Sequence, residues 1–326
     1  FSNSVDLITA VSGSSTDVAV PLLEGEYIVK FADDGGRFST DDTSVIVDLP
    51  DAVGKLLVKN HREDQQTPIP FRGTHVDTFY SDQYDALTLD GTALIDDEPD
   101  FDAIPVIDFL GDIKPLGTYT FLDTIDMGLA LDAVDFSRRF VTRGFYPSDT
   151  IDSRTALIDT WTDFDGGQVN NVNAELYIRS TNDDPSGSPT YGAWVPFNSG
   201  TFKGRGFQFK TELTSTKVDE NILVDELGYK IELTPRTDQS VQPIASGTST
   251  KSVTFTKPFF VGTAALLGAN SQLPSVGVTV QNLGADERFN ISNVSSTGFD
   301  IDVLDASNNN VNRNFTYVAN GVGRGQ

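Results

Sequence analysis

The sequence predicts an all-β chain of tandem antiparallel β-sandwiches, on three observations. Turn-forming residues punctuate the 326 positions densely. The short runs between them are rich in Val, Ile, Phe, Thr and Tyr, and many alternate apolar with polar residues. Helical periodicity is scarce. The best helix candidate, Ser215–Leu227, places Val218, Ile222 and Leu223 on one face but reads equally as a pair of strands.

The first predicted element is a hairpin in EYIVKFADDGGRFSTDDTSVIVDLP. Tyr27, Val29 and Phe31 alternate, a turn falls at Asp33–Gly36, and Val45, Val47 and Leu49 resume the pattern before Pro50 stops it. Residues 1–50 are too short for a complete sandwich. They are expected to be the last strands of a domain whose remainder precedes Phe1 or packs on a neighbour.

Residues 51–234 form the second unit. Its N-terminal part, 51–115, carries prolines at 68, 70, 99, 105 and 115 and predicts long loops with short strands between them. From Thr118 the alternation is regular. Ala174, Leu176 and Ile178 are set against Glu175, Tyr177 and Arg179, and Phe207 and Phe209 against Gln208 and Lys210, so each strand buries one face. A jelly-roll-like sandwich follows from this pattern. The composition of PRTDQSVQPIASGTST predicts a linker over 235–250, and 251–326 then reads as a second compact sandwich.

Composition narrows the function classes. Acidic residues outnumber basic ones by 47 to 23, a formal charge of −24 that repels nucleic-acid phosphates and anionic lipid. Without cysteine there is no disulfide, thiolate nucleophile or cysteine-held zinc, and His61 and His75 are too few for a multi-histidine metal site. No apolar run reaches the roughly 20 residues of a membrane helix. The chain starts at Phe1 with no signal-peptide pattern and is expected to be a piece of something longer.

Catalysis finds little support. There is no G-x-S-x-G elbow, and carboxylates are so numerous that no glycosidase pair stands out. GVGRG near the C-terminus mimics a phosphate loop, but no helix follows it. No cofactor is expected. For Ca²⁺, DDEPDFD offers Asp96, Asp97, Asp100 and Asp102, against the plainer reading of a solvated acidic loop. The other acidic turn, WTDFDGG at 161–167, fails as an EF-hand because its first and twelfth positions would be Trp161 and Val172. It reads as a β-turn with Trp161 in the core.

Binding residues are sought at turns. Tyr191 and Trp194 in TYGAWVPF can stack on sugar faces if exposed, although core or loop-anchor packing is the plainer role for Trp194. In FNISNVSSTGFDIDV, Asn290 and Asn293 are formal glycosylation acceptors, as is Asn314 in NFT, but such triplets arise by chance in Asn/Ser-rich chains. The stretch reads instead as strand, turn and strand. Asp300 and Asp302 lie opposite the apolar face, solvated, and Gly298 serves the turn. Asn293, Ser295 and Thr297 are the candidate receptor contacts there, with Asn308, Asn309, Asn310 and Asn312 as further amides.

These motifs carry a resemblance. Gly25, Tyr27, Val29, Lys30, Asp33 or Asp34, Gly36 and Ser39 resemble the last strands of fibronectin type III domains in bacteriophage tail-tip proteins. GTYTFLDTIDMGLALDAVDFSRR at 117–139, and WVPF followed by GRGFQFKTEL, resemble the C-terminal part of those host-specificity proteins. VTFTKPF, LPSVGVTVQN, FNISNVSSTGFDIDV and NFTYVANGVGRG resemble the H-type lectin-like module that closes many phage and prophage tail proteins. The resemblance implies a non-enzymatic virion protein at the distal end of the tail. It also implies a homotrimer beside other tail-tip proteins that contributes to host-glycan or receptor recognition. A structural cement without receptor contact, and a polysaccharide hydrolase, are the alternatives.

Overall fold

The computed structural model describes residues 25–30, 43–47, 54–91, 112–147, 169–267 and 272–326. Within them the chain is all-β, with antiparallel sheets throughout, one short α-helix and one turn of 3-10 helix at Glu63–Gln65. Strand β1 (Gly25–Val29) pairs with β2 (Thr43–Val47), Tyr27 lying opposite Val45, as the hairpin pattern predicts. Its turn lies outside the described residues, as do the acidic runs 96–102 and 161–167.

The second unit is one ten-stranded sheet that folds over its own core. Its strands are β3 (Leu56–Arg62), β4 (Thr74–Val76), β5 (Thr78–Ser81), β6 (Ala86–Leu89) and β7 (Leu116–Thr120), then β8 (Ile125–Phe145), β9 (Val172–Thr181), β10 (Val195–Pro196), β11 (Gly200–Ser215) and β12 (Asn221–Leu233). The helix candidate at Ser215–Leu227 is therefore the end of β11 and the start of β12.

Two long strands make the fold. The first half of β11 pairs with β8 and its second half with β7, while β9 runs along its other side. The register against β8 shifts around Gly204 and Gly206, a bulge that bends the strand between partners. β12 lies between β8 on one side and β6 then β3 on the other. Phe207, Phe209 and Leu213 of β11 are buried, as their alternation with polar residues requires. Phe209 stacks on Tyr229 at 4.4 Å between ring centroids, and Phe136 meets Phe207 at 4.9 Å.

The third unit corrects the linker reading. Residues 235–250 hold β13 (Pro235–Gln239) and β14 (Ile244–Ala245), both paired with the last strand of the chain. After them come β15 (Lys251–Thr254), α1 (Ala264–Leu267), β16 (Ser275–Val280), β17 (Arg288–Ser292), β18 (Gly298–Leu304) and β19 (Asn314–Val322). Loop-like composition misled here because the partners that hold β13 and β14 are distant in the chain: the ladder to β19, and side-chain bonds from Arg236 to Gly323, Thr237 to Asn320 and Tyr317 to Asp238. One sheet holds β13, β14, β16 and β19; the other has the order β15, β18, β17. Phe255, Phe259, Phe299, Ile301, Phe315 and Tyr317 fill the space between.

The second and third units are laced together. Phe260 is fully buried in the core of the second unit, although it follows β15 of the third. Arg324 accepts at its carbonyl from Asp132 N at 2.8 Å, and Gln326 N donates to Ala130 O at 2.9 Å. The GVGRG segment is thus a backbone fastening.

FNISNVSSTGFDIDV adopts the expected strand, turn and strand, β17 against β18 with Ile291 opposite Ile301. The reason for its glycine differs from the expected one. A Cβ on Gly298 would sit 2.1 Å from the Val253 carbonyl oxygen of the neighbouring strand, so space, not turn conformation, demands glycine. The residue in the left-handed region is Asn293, at φ 51°.

Candidate recognition face

The outward face of β9, β11, β7 and β4 carries the side chains that the inward face excludes. Register sets them in rows across the strands. Tyr177 stands beside Lys210, Thr120 and Thr74, and Glu175 beside Glu212, Thr118 and Val76. With strands about 4.8 Å apart, such a row spans roughly 15 Å. All eight side chains are half-buried or exposed, Val76 among them at 56%. The face is an open platform of hydroxyl, charged and aromatic groups.

At one end of this platform the 182–194 loop folds back. Gly192 N donates to Ser180 O at 2.9 Å and Thr190 N to Asp183 Oδ2 at 2.8 Å, which fixes the approach of Tyr191 and Trp194. Val195 then pairs with Ile178 in β10, which brings Trp194 beside Arg179. The Arg179 Cζ lies 4.8 Å from the Tyr191 ring centroid and 4.4 Å from that of Trp194. Lys210 Nζ lies 5.1 Å from Trp194 and 5.2 Å from Tyr177. Four aromatic–cation contacts thus join residues of the loop, β9 and β11.

Neighbouring polar groups hold this ladder in place. Arg179 Nε and Nη2 donate to Gln208 Oε1 at 2.8 and 2.6 Å, and Gln208 Nε2 donates to Thr124 Oγ1 at 3.0 Å. Lys210 is ion-paired with Glu212. The Tyr177 hydroxyl donates to Glu175, an interaction that pushes the phenol up to about 12. Burial raises the Tyr191 phenol as well. Beside the loop, Arg205 pairs with Asp126 at 2.9 Å and Asp184 at 2.9 Å. A cleft of about 470 Å³ opens next to it, with Asn182, Thr190, Lys203 and Gln326 in its wall.

The expected site residues therefore divide. Tyr191 and Trp194 come together, both half-buried, so Trp194 is a loop anchor lying against Arg179 rather than a core residue. Asn293, Ser295 and Thr297 belong to the third unit, where the turn itself uses much of their hydrogen-bonding capacity. Asn293 Nδ2 donates to Asp300 Oδ2 at 2.7 Å, and Ser295 Oγ donates to Gly298 O at 3.1 Å and accepts from Thr297 N at 3.3 Å. Asp300 and Asp302 are not simply solvated. They accept from Ser252 Oγ at 2.6 Å and Thr250 Oγ1 at 2.7 Å, which ties β18 to β15 and the segment before it. The Asn293 hydrogen bond, followed by that from Ser252, holds the Asp300 carboxyl below the usual carboxylate range.

Most of the asparagine loop is also engaged, although the buried Asn310 Oδ1 has no partner among the described residues. Asp305 Oδ1 accepts from Ser307 N at 2.8 Å and Asn309 N at 2.9 Å, Asn308 meets Arg288, and Asn312 Oδ1 accepts from Gly247 N at 2.9 Å. The two histidines are held by neighbours, His61 Nε2 at 2.7 Å from Glu63 Oε1 and His75 Nε2 at 2.8 Å from Phe71 O. Among the described residues no group of three His, Cys, Asp or Glu side chains is placed to hold a metal ion. The candidates Asp96, Asp97, Asp100 and Asp102 lie outside them.

Arg179, Gln208, Lys210 and Tyr177 were not among the expected binding residues. Alternation already placed them on outward faces, but nothing local shows that a loop closes over them. No protein-family model, curated protein or solved structure matches this chain.

Proposed function

We propose that this chain is a non-enzymatic recognition region of a tail-tip-type virion protein, acting as a homotrimer and contacting host-surface glycan. The observation that carries the reading is the pairing of Tyr191 and Trp194 at the end of an outward platform of Thr, Glu, Gln and Lys side chains. Aromatic rings offer flat apolar faces to sugars, and rows of hydroxyl and carboxylate groups suit their hydroxyls. The platform lies on paired strands, so its groups are preorganised. The resemblance of three stretches of the chain to phage tail proteins supplies the biological setting and the trimer.

The test is binding of the full chain to a glycan array and to host cells, with W194A and Y191A in parallel. Retention of both in the wild type and loss in the variants supports the reading. A wild-type chain that binds no glycan and no cell, while forming trimers by light scattering, supports the cement alternative. The fastening of residues 324–326 to β8 favours that alternative, because it ties the second and third units together. Release of reducing ends from host polysaccharide would revive the hydrolase.

A further inference from the structure

We propose that Arg179 is an anion-recognition residue, which makes the preferred ligand a glycan bearing isolated carboxylate groups. The proposal rests on the reading of the platform as a glycan-binding face.

Its starting point is the arginine's unused hydrogen-bonding capacity. A guanidinium has five N–H donors in a fixed plane. Nε and one hydrogen of Nη2 go to the single oxygen of Gln208, along one side of the fork. Among the described residues, the two hydrogens on Nη1 and the second on Nη2 have no acceptor. The second hydrogen of Nη2 and one of Nη1 form the end-on edge, the geometry that takes a carboxylate through two parallel hydrogen bonds. The plane is not free to turn away, because Tyr191 and Trp194 lie against it and Gln208 is itself anchored by Thr124.

The rest of the chain sharpens the contrast. Arg62, Arg139, Arg143, Arg205 and Arg313 each pair with a carboxylate. In a chain with 47 acidic residues, Arg179 pairs with none among the described residues and is held instead by a neutral amide. Nearby acids are engaged elsewhere: Glu212 with Lys210, Glu175 with Tyr177, Asp126 and Asp184 with Arg205. Among the described residues no further acceptor completes the fork, which leaves its end-on edge to an external anion.

The net charge of −24 decides what kind of anion. A dense polyanion would be repelled by the whole surface, whereas the field reaches a single carboxylate only within a Debye length of about 8 Å at physiological salt. The aromatic rings beside the fork select a carboxylate attached to a sugar rather than one on a flexible side chain. A uronic acid in an otherwise neutral chain has both parts.

The experiment measures binding of the full chain to matched pairs of oligosaccharides, each containing one glucuronate or galacturonate, with the partner carboxyl-reduced to the neutral sugar. An acidic octapeptide serves as the non-sugar control. The expected result is a preference of about tenfold or more for the acidic member of at least one pair. R179Q abolishes that preference and R179K, which keeps the charge but not the fork, retains only part of it. Thermal melting verifies that both variants fold, and Q208A, which removes the fork's anchor, gives an independent loss of preference.

Equal binding to both members of every bound pair overturns the assignment of Arg179 and leaves the glycan face standing. Binding to the peptide but to no sugar overturns both, as does binding to nothing.

Discussion

Trp194 lies against Arg179 with 4.4 Å between its ring centroid and the guanidinium carbon, although Arg179 is on β9 and Trp194, 15 positions on, closes the loop before β10. The contact joins a turn aromatic to an outward strand residue and sets one end of the proposed recognition platform. Replacing Trp194 with Ala removes a half-exposed ring of the proposed platform together with its cation–π contacts to Arg179 and Lys210. Glycan or cell binding should fall roughly tenfold. Thermal stability should change by less than about 1 kcal/mol, because the site is half-exposed. A variant that melts much earlier would place Trp194 in the core instead.

Glu220 is 4% exposed and collects four hydrogen bonds, from the Asn170 and Asn171 backbone, the Asn171 side chain and the Tyr146 hydroxyl. Burial alone would raise its pKa, but these donors outweigh burial and hold it below the ordinary value. The unfolded chain therefore takes up the proton first as pH falls. The stabilisation is fully present above the unfolded-state pKa and is lost as pH drops through the lower folded value. E220Q should cost about 1–3 kcal/mol at neutral pH and flatten the acid limb of a stability profile measured by denaturant titration. An unchanged acid limb would refute this role.

Tyr229 carries a buried hydroxyl with no hydrogen-bond partner among the described residues, on a ring stacked on Phe209. Burial also pushes its phenol well above the ordinary value. Removing the oxygen keeps the stack and discards an unsatisfied group. Y229F should leave stability unchanged or raise it by about 1 kcal/mol in thermal unfolding. A large loss would reveal a partner for the hydroxyl, such as a trapped water.

Gly298 faces the Val253 carbonyl so closely that any side chain must push β15 and β18 apart. G298A should cost about 2–3 kcal/mol and increase hydrogen exchange along Lys251–Thr254. Wild-type exchange in the variant would mean that the strands slide without penalty.

Phe260 couples the second and third units by burying a ring from one in the core of the other. The wild type should melt in one transition. F260A should lose about 3–5 kcal/mol and separate the melting of the two units in calorimetry. Two transitions in the wild type would show that the lacing does not couple them.

Much of the fold was legible because one-sided burial writes itself as alternation. Phe207 and Phe209 against Gln208 and Lys210 predict both strand and face, and the hairpin of β1 and β2 follows from the same period. The reading failed where the partners that hold an element lie far away in the chain. Strands β13 and β14 lie in a Ser/Thr/Pro-rich stretch, held by ladder bonds to β19 that composition does not reveal. The long β11 shows the same limit: its sequence shows one strand, but not that it changes partner from β8 to β7.

The site divides along the same line. Sequence alone determined the strand period, the outward side chains of β9 and β11, and the aromatic turn at 191–194, because these depend on neighbours within a few residues. Tertiary structure decided that Tyr191 and Trp194 close on Arg179, that the amide of Gln208 rather than a carboxylate holds the guanidinium, and that Gly298 is needed for space. Those outcomes depend on backbone hydrogen bonds and close approaches between segments far apart in the chain, which leave no mark on any local pattern.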